Sequence, residues 1–129
     1  MADVRPFQGL RYGPGAGPLD RLLAPPYDVV SDALRRELYA RSPHNAVRLE
    51  SPAVRPTDSP YATAAATLTE WLERRVLARE ESPALYLTVH GFPDGDGTLQ
   101  RRELTVALRL EEWSTGTVRP HEFTATGPK

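Results

Sequence analysis

A chain of 129 residues, 40% hydrophobic and 26% charged, has the size of one domain and the composition of a globular protein, which excludes wholesale disorder. Sixteen basic residues stand against seventeen acidic ones for a net charge of −1, too balanced for a polyanion-binding field, so nucleic acid is excluded as a partner. Cysteine is absent, which removes disulfides, thiolate chemistry and cysteine-based metal centres; with no signal-like N-terminus and no bilayer-length apolar run, a soluble cytoplasmic protein without a membrane partner is expected.

Taken in order, residues 3–12 read as a short extended segment in which Pro6 disfavours a central strand and suits an edge. Gly13-Pro14-Gly15-Ala16-Gly17-Pro18 is a loop without the Lys-Ser/Thr ending of a phosphate loop, so it carries no nucleotide signal. Leu19 to Leu23 suit one helical turn. Pro25 and Pro26 then fix φ, lack N–H groups and push the chain into a stiff extended corner that delivers Tyr27 and Asp28 on a rigid arm. Ser31 begins a helix as its cap, with Asp32 at the positive end, arginines toward the other, and Val30, Leu34 and Leu38 as a narrow apolar stripe. Ser42-Pro43 ends it, and Ala46-Val47-Arg48-Leu49 reads as a short strand.

Ser59-Pro60 is a strong helix start, and Tyr61, Ala65, Leu68 and Leu72 recur at helical spacing over about four turns. Trp71 beside them reads as a core or interface residue rather than a ligand platform. From Ala84 the period changes to two: Leu85, Leu87 and Val89, then Asp94-Gly95-Asp96-Gly97 with Asp-Gly turn chemistry, then Leu104, Val106, Leu108 and Leu110. This predicts a β-hairpin. The Asp/Gly loop lacks the bidentate glutamate of a calcium loop, and no histidine pairing supports zinc, so no metal is expected.

Polar constellations sit beside the proline corners. Tyr27 and Asp28 follow Pro25-Pro26; His44, Asn45 and Arg48 follow Pro43; Arg119, His121, Glu122 and Thr124 surround Pro120. His44 alone reads as a loop histidine. Arg119 can bind an anion, and His121 can transfer a proton when oriented by an acid such as Glu122.

Four of these blocks carry a resemblance. Ala2-Asp3-Val4-Arg5-Pro6-Phe7-Gln8-Gly9-Leu10-Arg11-Tyr12 resembles the opening of the widespread prokaryotic family catalogued as domain of unknown function 1015, and Ala24-Pro25-Pro26-Tyr27-Asp28-Val29-Val30-Ser31 resembles its most diagnostic motif. Residues 38–49 and Pro120-His121-Glu122-x-Thr124 resemble further blocks in the same order. The resemblance implies a bacterial protein whose relatives continue past Gly127-Pro128-Lys129 into further α/β sequence, so the chain is expected to be the N-terminal portion of a longer domain, truncated at the C-terminus. Relatives commonly carry a basic residue where Phe123 stands.

The expected fold is α+β in a single domain, residues 1–129: two main helices on a small, mainly antiparallel sheet that includes the hairpin, with a mixed α/β sheet as the alternative. The expected function is a polar pocket for a small anionic or phosphorylated ligand. Asp28, His121 and Glu122 are the catalytic candidates, Tyr27, Asn45, Arg48, Arg119 and Thr124 the ligand-binding ones, and no cofactor is named. Two readings compete with it: a non-catalytic binding or regulatory module, and an inactive fragment that self-associates or needs a missing C-terminal segment to cover its sheet.

Overall fold

The computed structural model describes residues 2–119 and is α+β, with every strand pairing antiparallel. The chain divides into two compact units, Leu10–Glu80 and a second made of Met1–Gly9 with Glu81–Lys129. Each is taken by itself.

In the unit Leu10–Glu80, strand β2 (Leu10–Tyr12) pairs with β3 (Leu77–Arg79), Tyr12 opposite Leu77. Four helices lie between them: α1 (Leu19–Leu22), α2 (Asp32–Arg41), α3 (Val47–Glu50) and α4 (Pro60–Glu73). The caps read from the sequence are in place, since Ser31 Oγ accepts from the Leu34 amide at 3.2 Å and Ser59 Oγ from the Ala62 amide at 3.3 Å. Pro60 takes a first-turn position of α4, where its missing N–H costs nothing. Ala16, Leu22, Trp71, Val76 and Leu77 form the core, with Tyr12, Leu49, Leu68 and Leu72 packed against it. Leu22, Leu38 and Val47 are closed to solvent, each worth about 1.5–3 kcal/mol relative to exposure.

Two expectations are corrected in this unit. Residues 46–49 do not form a strand; Val47–Glu50 is one helical turn. The cause is Asn45, whose Oδ1 accepts from the Val47 amide at 3.0 Å while its carbonyl accepts from Arg48 at 3.1 Å, winding the chain before any alternation can be used. Tyr61 does not pack either: it is 86% exposed, and the buried side of α4 is turned toward Trp71. The stripe read through Tyr61 and Ala65 therefore faces solvent at its N-terminal end.

In the other unit, β4 (Tyr86–Asp94) and β5 (Gly97–Thr105) form the predicted hairpin, in full register from Tyr86↔Thr105 to Asp94↔Gly97. Gly95 has φ 55°, the positive value that hairpin turns require at the first loop position. The alternation read through Leu110 breaks at Val106, and Ala107–Leu108 becomes a separate strand, β6, paired with β1 (Val4–Arg5). Phe7 bridges Ala84, and the Tyr86 hydroxyl accepts from the Gly9 amide at 2.7 Å. The sheet expected as one thus consists, among the described residues, of three two-stranded ladders. The 3-10 turn Trp113–Thr115 ends at Gly116, φ 64°. No helix among the described residues is long and apolar enough to cross a membrane.

One contact between β2 and the end of α4 tests this packing. Arg75 sits at φ 57°, and its carbonyl would lie 2.6 Å from a β-carbon placed on Gly13, whose N–H donates to the Val76 carbonyl at 2.8 Å. A backbone atom held by a left-handed residue cannot retreat cheaply. Gly13→Ala is expected to cost about 1–3 kcal/mol of stability, read as a lower thermal midpoint. Gly15→Ala, with open space at its β-carbon, is expected to leave that midpoint within error.

Candidate functional site

The unit Leu10–Glu80 carries a groove of about 460 Å³ between the end of α2, the turn into α3, and α4. Its lining includes Tyr39, His44, Arg48, Thr63, Glu70, Trp71 and Arg74. Arg48 is set by its neighbours. Its guanidinium lies 4.0 Å from the Tyr39 ring centroid, and Nη2 donates to the Tyr39 carbonyl at 3.2 Å. The Tyr39 hydroxyl accepts in turn from the Ala53 amide at 2.7 Å, which fixes the ring. Arg48 Nε is buried and has no hydrogen-bond partner. A buried N–H without an acceptor is a desolvation cost that the Arg48 side chain carries.

His44 is held from three directions. Its amide donates to Ser42 Oγ at 3.1 Å, its carbonyl accepts from the Tyr12 hydroxyl at 2.9 Å, and its ring stands edge-on to Trp71 with centroids 5.8 Å apart. Nδ1 lies 3.2 Å from the Ala16 carbonyl, which can only accept, so Nδ1 carries the proton and Nε2 is the ring atom available to a ligand. Burial, and secondarily the charge of Glu50, holds the Tyr12 phenol above its ordinary range, so it remains a donor to His44 at neutral pH and above. Across the groove, Arg74 Nη1 meets Glu70 Oε1 at 2.7 Å one turn earlier on α4. Two arginines against one glutamate leave the lining with a positive excess.

The residues singled out in the sequence fall in different places. Arg48 and His44 line the groove. Asn45 is adjacent but fully buried: Nδ2 donates to the carbonyls of Arg21 and Leu23, both at 2.9 Å, and Oδ1 holds the Val47 amide. Its amide group is therefore occupied by backbone, and it orients the His44–Arg48 turn from behind. Pro25 and Pro26 lead into a 3-10 turn, Tyr27–Val29, with Pro26 extended at φ −52° and ψ 145°. Tyr27 is 72% exposed and Asp28 is exposed, and neither lines the groove. Arg119 is exposed and belongs to the other unit, while His121, Glu122 and Thr124 lie outside the described residues.

Sequence reasoning missed the α4 wall. Thr63, Thr67, Glu70 and Arg74 recur at spacings of four, three and four, a polar stripe of helical period. That periodicity was the available signal, hidden beside the apolar stripe on the same helix. The Thr63 and Thr67 hydroxyls donate back to Ser59 and Thr63 carbonyls, which leaves their lone pairs as acceptors. Among the described residues, no three His, Asp or Glu side chains gather into a group able to hold a metal ion.

The chain belongs to the family described as protein of unknown function (DUF1015), whose model matches residues 4–129. No curated protein matches the chain. No solved structure matches it either.

The buried amide of Asn45 is the point at which the groove can be loosened without touching its lining. Asn45→Ala leaves the buried Val47 amide and two partly buried carbonyls without their partner and is expected to cost about 2–4 kcal/mol, given about 1–3 for a buried orphaned group and less where water can reach. Asn45→Asp keeps the bond to the Val47 amide but loses both donated bonds, so it is expected to be no better tolerated. Urea denaturation of the two variants beside the native chain measures this; a loss below about 0.5 kcal/mol, the range of ordinary surface substitutions, would contradict the tether.

Proposed function

We propose that the unit Leu10–Glu80 binds a small anionic ligand, a phosphorylated or carboxylate-bearing molecule, in the groove between α2, α3 and α4. The observation that carries this reading is Arg48: a guanidinium stacked on Tyr39, tied to the Tyr39 carbonyl and lining the groove. Pre-set orientation lowers the ordering cost of binding, and the fixed charge of Arg48 favours an anionic oxygen in the groove. His44 Nε2 supplies a second polar contact. Arg74 supplies a second cation once its exposed partner Glu70 gives way, a pairing weak enough to exchange. Trp71 and the edge-on His44 ring form the apolar wall against which the uncharged part of the ligand rests. This is a recognition role, and Asn45 serves it from behind as a positioning residue.

Trp71 reports occupancy by its fluorescence, provided Trp113 is replaced by Phe to remove the other indole. In that background, titration with inorganic phosphate, simple phosphomonoesters and small carboxylates is expected to give a saturable change for at least one class. Arg48→Gln is expected to weaken it about tenfold or more, and Arg48→Lys nearly as much, because an ammonium does not keep the planar seat on Tyr39 that sets the charge in place. Added salt should weaken it as well. No saturable change with any anion, or a change that Arg48→Gln leaves intact in a folded protein, defeats the reading.

A further inference from the structure

Among the described residues no strand pairs with either outer edge of the β4–β5 hairpin, and the chemistry along the two edges is not equivalent. The two-residue loop Gly95-Asp96 is closed by the pair Asp94↔Gly97, and in a loop of that length the closing pair is hydrogen-bonded. Alternation then makes Phe92↔Leu99, His90↔Arg101, Thr88↔Glu103 and Tyr86↔Thr105 hydrogen-bonded too. The backbone groups of the intervening residues point away from the partner strand. On β4 these are Leu87, Val89, Gly91 and Pro93, and Pro93 has no N–H to offer. On β5 they are Thr98, Gln100, Arg102 and Leu104, an uninterrupted row of donors and acceptors.

Two strands alone are marginal in water, and the unit has little else to hold them. Among its described residues none is buried, and Leu87 and Leu104, which face each other, are 64% and 61% exposed. An unblocked edge on such a ladder is a template for another strand. We propose that the edge of β5 pairs antiparallel with β5 of a second copy of this chain, with Arg102 on the two-fold axis, to give a four-stranded sheet.

Charge selects both the partner and the register. A two-fold axis normal to the sheet requires the pairing to be centred on a residue, and the outward row restricts the hydrogen-bonded pairs to Thr98, Gln100, Arg102 and Leu104. Centred on Arg102, the strand places Arg101 of each copy opposite Glu103 of the other, twice, and Gln100 opposite Leu104. Centred on Arg101, it would set that arginine against its own copy and Glu103 against Leu99. In the single chain Glu103 already accepts from Arg101 at 2.7 Å and lies 3.3 Å from His90 Nε2, so both carboxylate oxygens sit on the face where the second arginine arrives. The one like-charge contact, Arg102 with itself, lies on the opposite face, where solvent screens it.

Sedimentation of the full chain over a concentration series is expected to show a monomer–dimer equilibrium. Gln100→Pro removes an outward N–H without touching a β4 bond, and Arg101→Glu sets like charges opposite each other twice; each is expected to weaken the dimer about tenfold or more. Exchanging both charges, Arg101→Glu with Glu103→Arg, should restore it. Because the chain has no cysteine, Arg102→Cys reports the register directly: mild oxidation is expected to give a disulfide-linked dimer, whereas Thr98→Cys, far from the axis, gives little. A monomer at every concentration overturns the proposal, as does a dimer indifferent to Gln100→Pro and Arg101→Glu, or one cross-linked equally through position 98. An edge covered instead by another polypeptide would appear as the first of these outcomes.

Discussion

The packing around the groove depends on one buried amide. Asn45 has no exposed surface, and its side chain joins three backbone segments: the end of α1 through Arg21 and Leu23, the start of α3 through Val47, and by adjacency the His44 turn. The Ala46 amide adds a fourth tie, donating to the Leu22 carbonyl at 2.7 Å. A side chain with two donors and one acceptor in fixed geometry is needed here, and few residues supply it. Leucine of similar size would fill the volume and orphan every group; aspartate would satisfy one of the three. The consequence is that His44 and Arg48, on either side of Asn45, are placed by hydrogen bonds rather than by loop length.

That placement changes how the proline blocks are understood. Pro25-Pro26 stiffens the chain, but what it delivers is the exposed turn Tyr27–Val29 and not the lining of the groove. Asn45 grips the carbonyl of Leu23, two residues before Pro25, so the corner is anchored at the same point as the His44 turn. The proline motif and the Asn45 motif are therefore coupled through backbone. Membership of the DUF1015 family covers both blocks, and the physical link between them is this shared anchor.

What was legible in the sequence followed from strong local chemistry. Ser31 and Ser59-Pro60 start helices because caps and first-turn proline act within three residues, and Asp94-Gly95 turns the hairpin because Gly95 accepts positive φ. Trp71 could be read as core because a large aromatic on a helical stripe has few other places to go. The rest was decided at a distance. Val47 and Leu49 alternate like a strand, yet Asn45, two residues before Val47, winds them into helix. Tyr61 fits the stripe of α4 by spacing, but its side of the first turn is exposed. Arg48 could be singled out by its charge, whereas its partner Tyr39 lies nine residues away on another helix, where no local period could join them.

The two units also differ in what stabilises them. Every buried residue among those described lies between Ala16 and Leu77, so the hydrophobic stabilisation is concentrated in the unit that holds the groove. In the other unit the order comes from backbone ladders and from Tyr86, whose hydroxyl accepts from Gly9 and donates to the Phe7 carbonyl at 3.3 Å. A β-carbon on Gly9 would stand 2.7 Å from that hydroxyl, so glycine at this position is what lets the N-terminal segment reach the hairpin base. Among the described residues, the ladder held by one tyrosine at its base and by a glycine turn at its tip has no strand along the outer edge of β5. Hydrogen bonding along an edge is directional and insensitive to apolar area, so this part of the chain can gain strand partners without first building a core. The groove is built by packing and presents a cation; the hairpin is built by backbone and presents an edge.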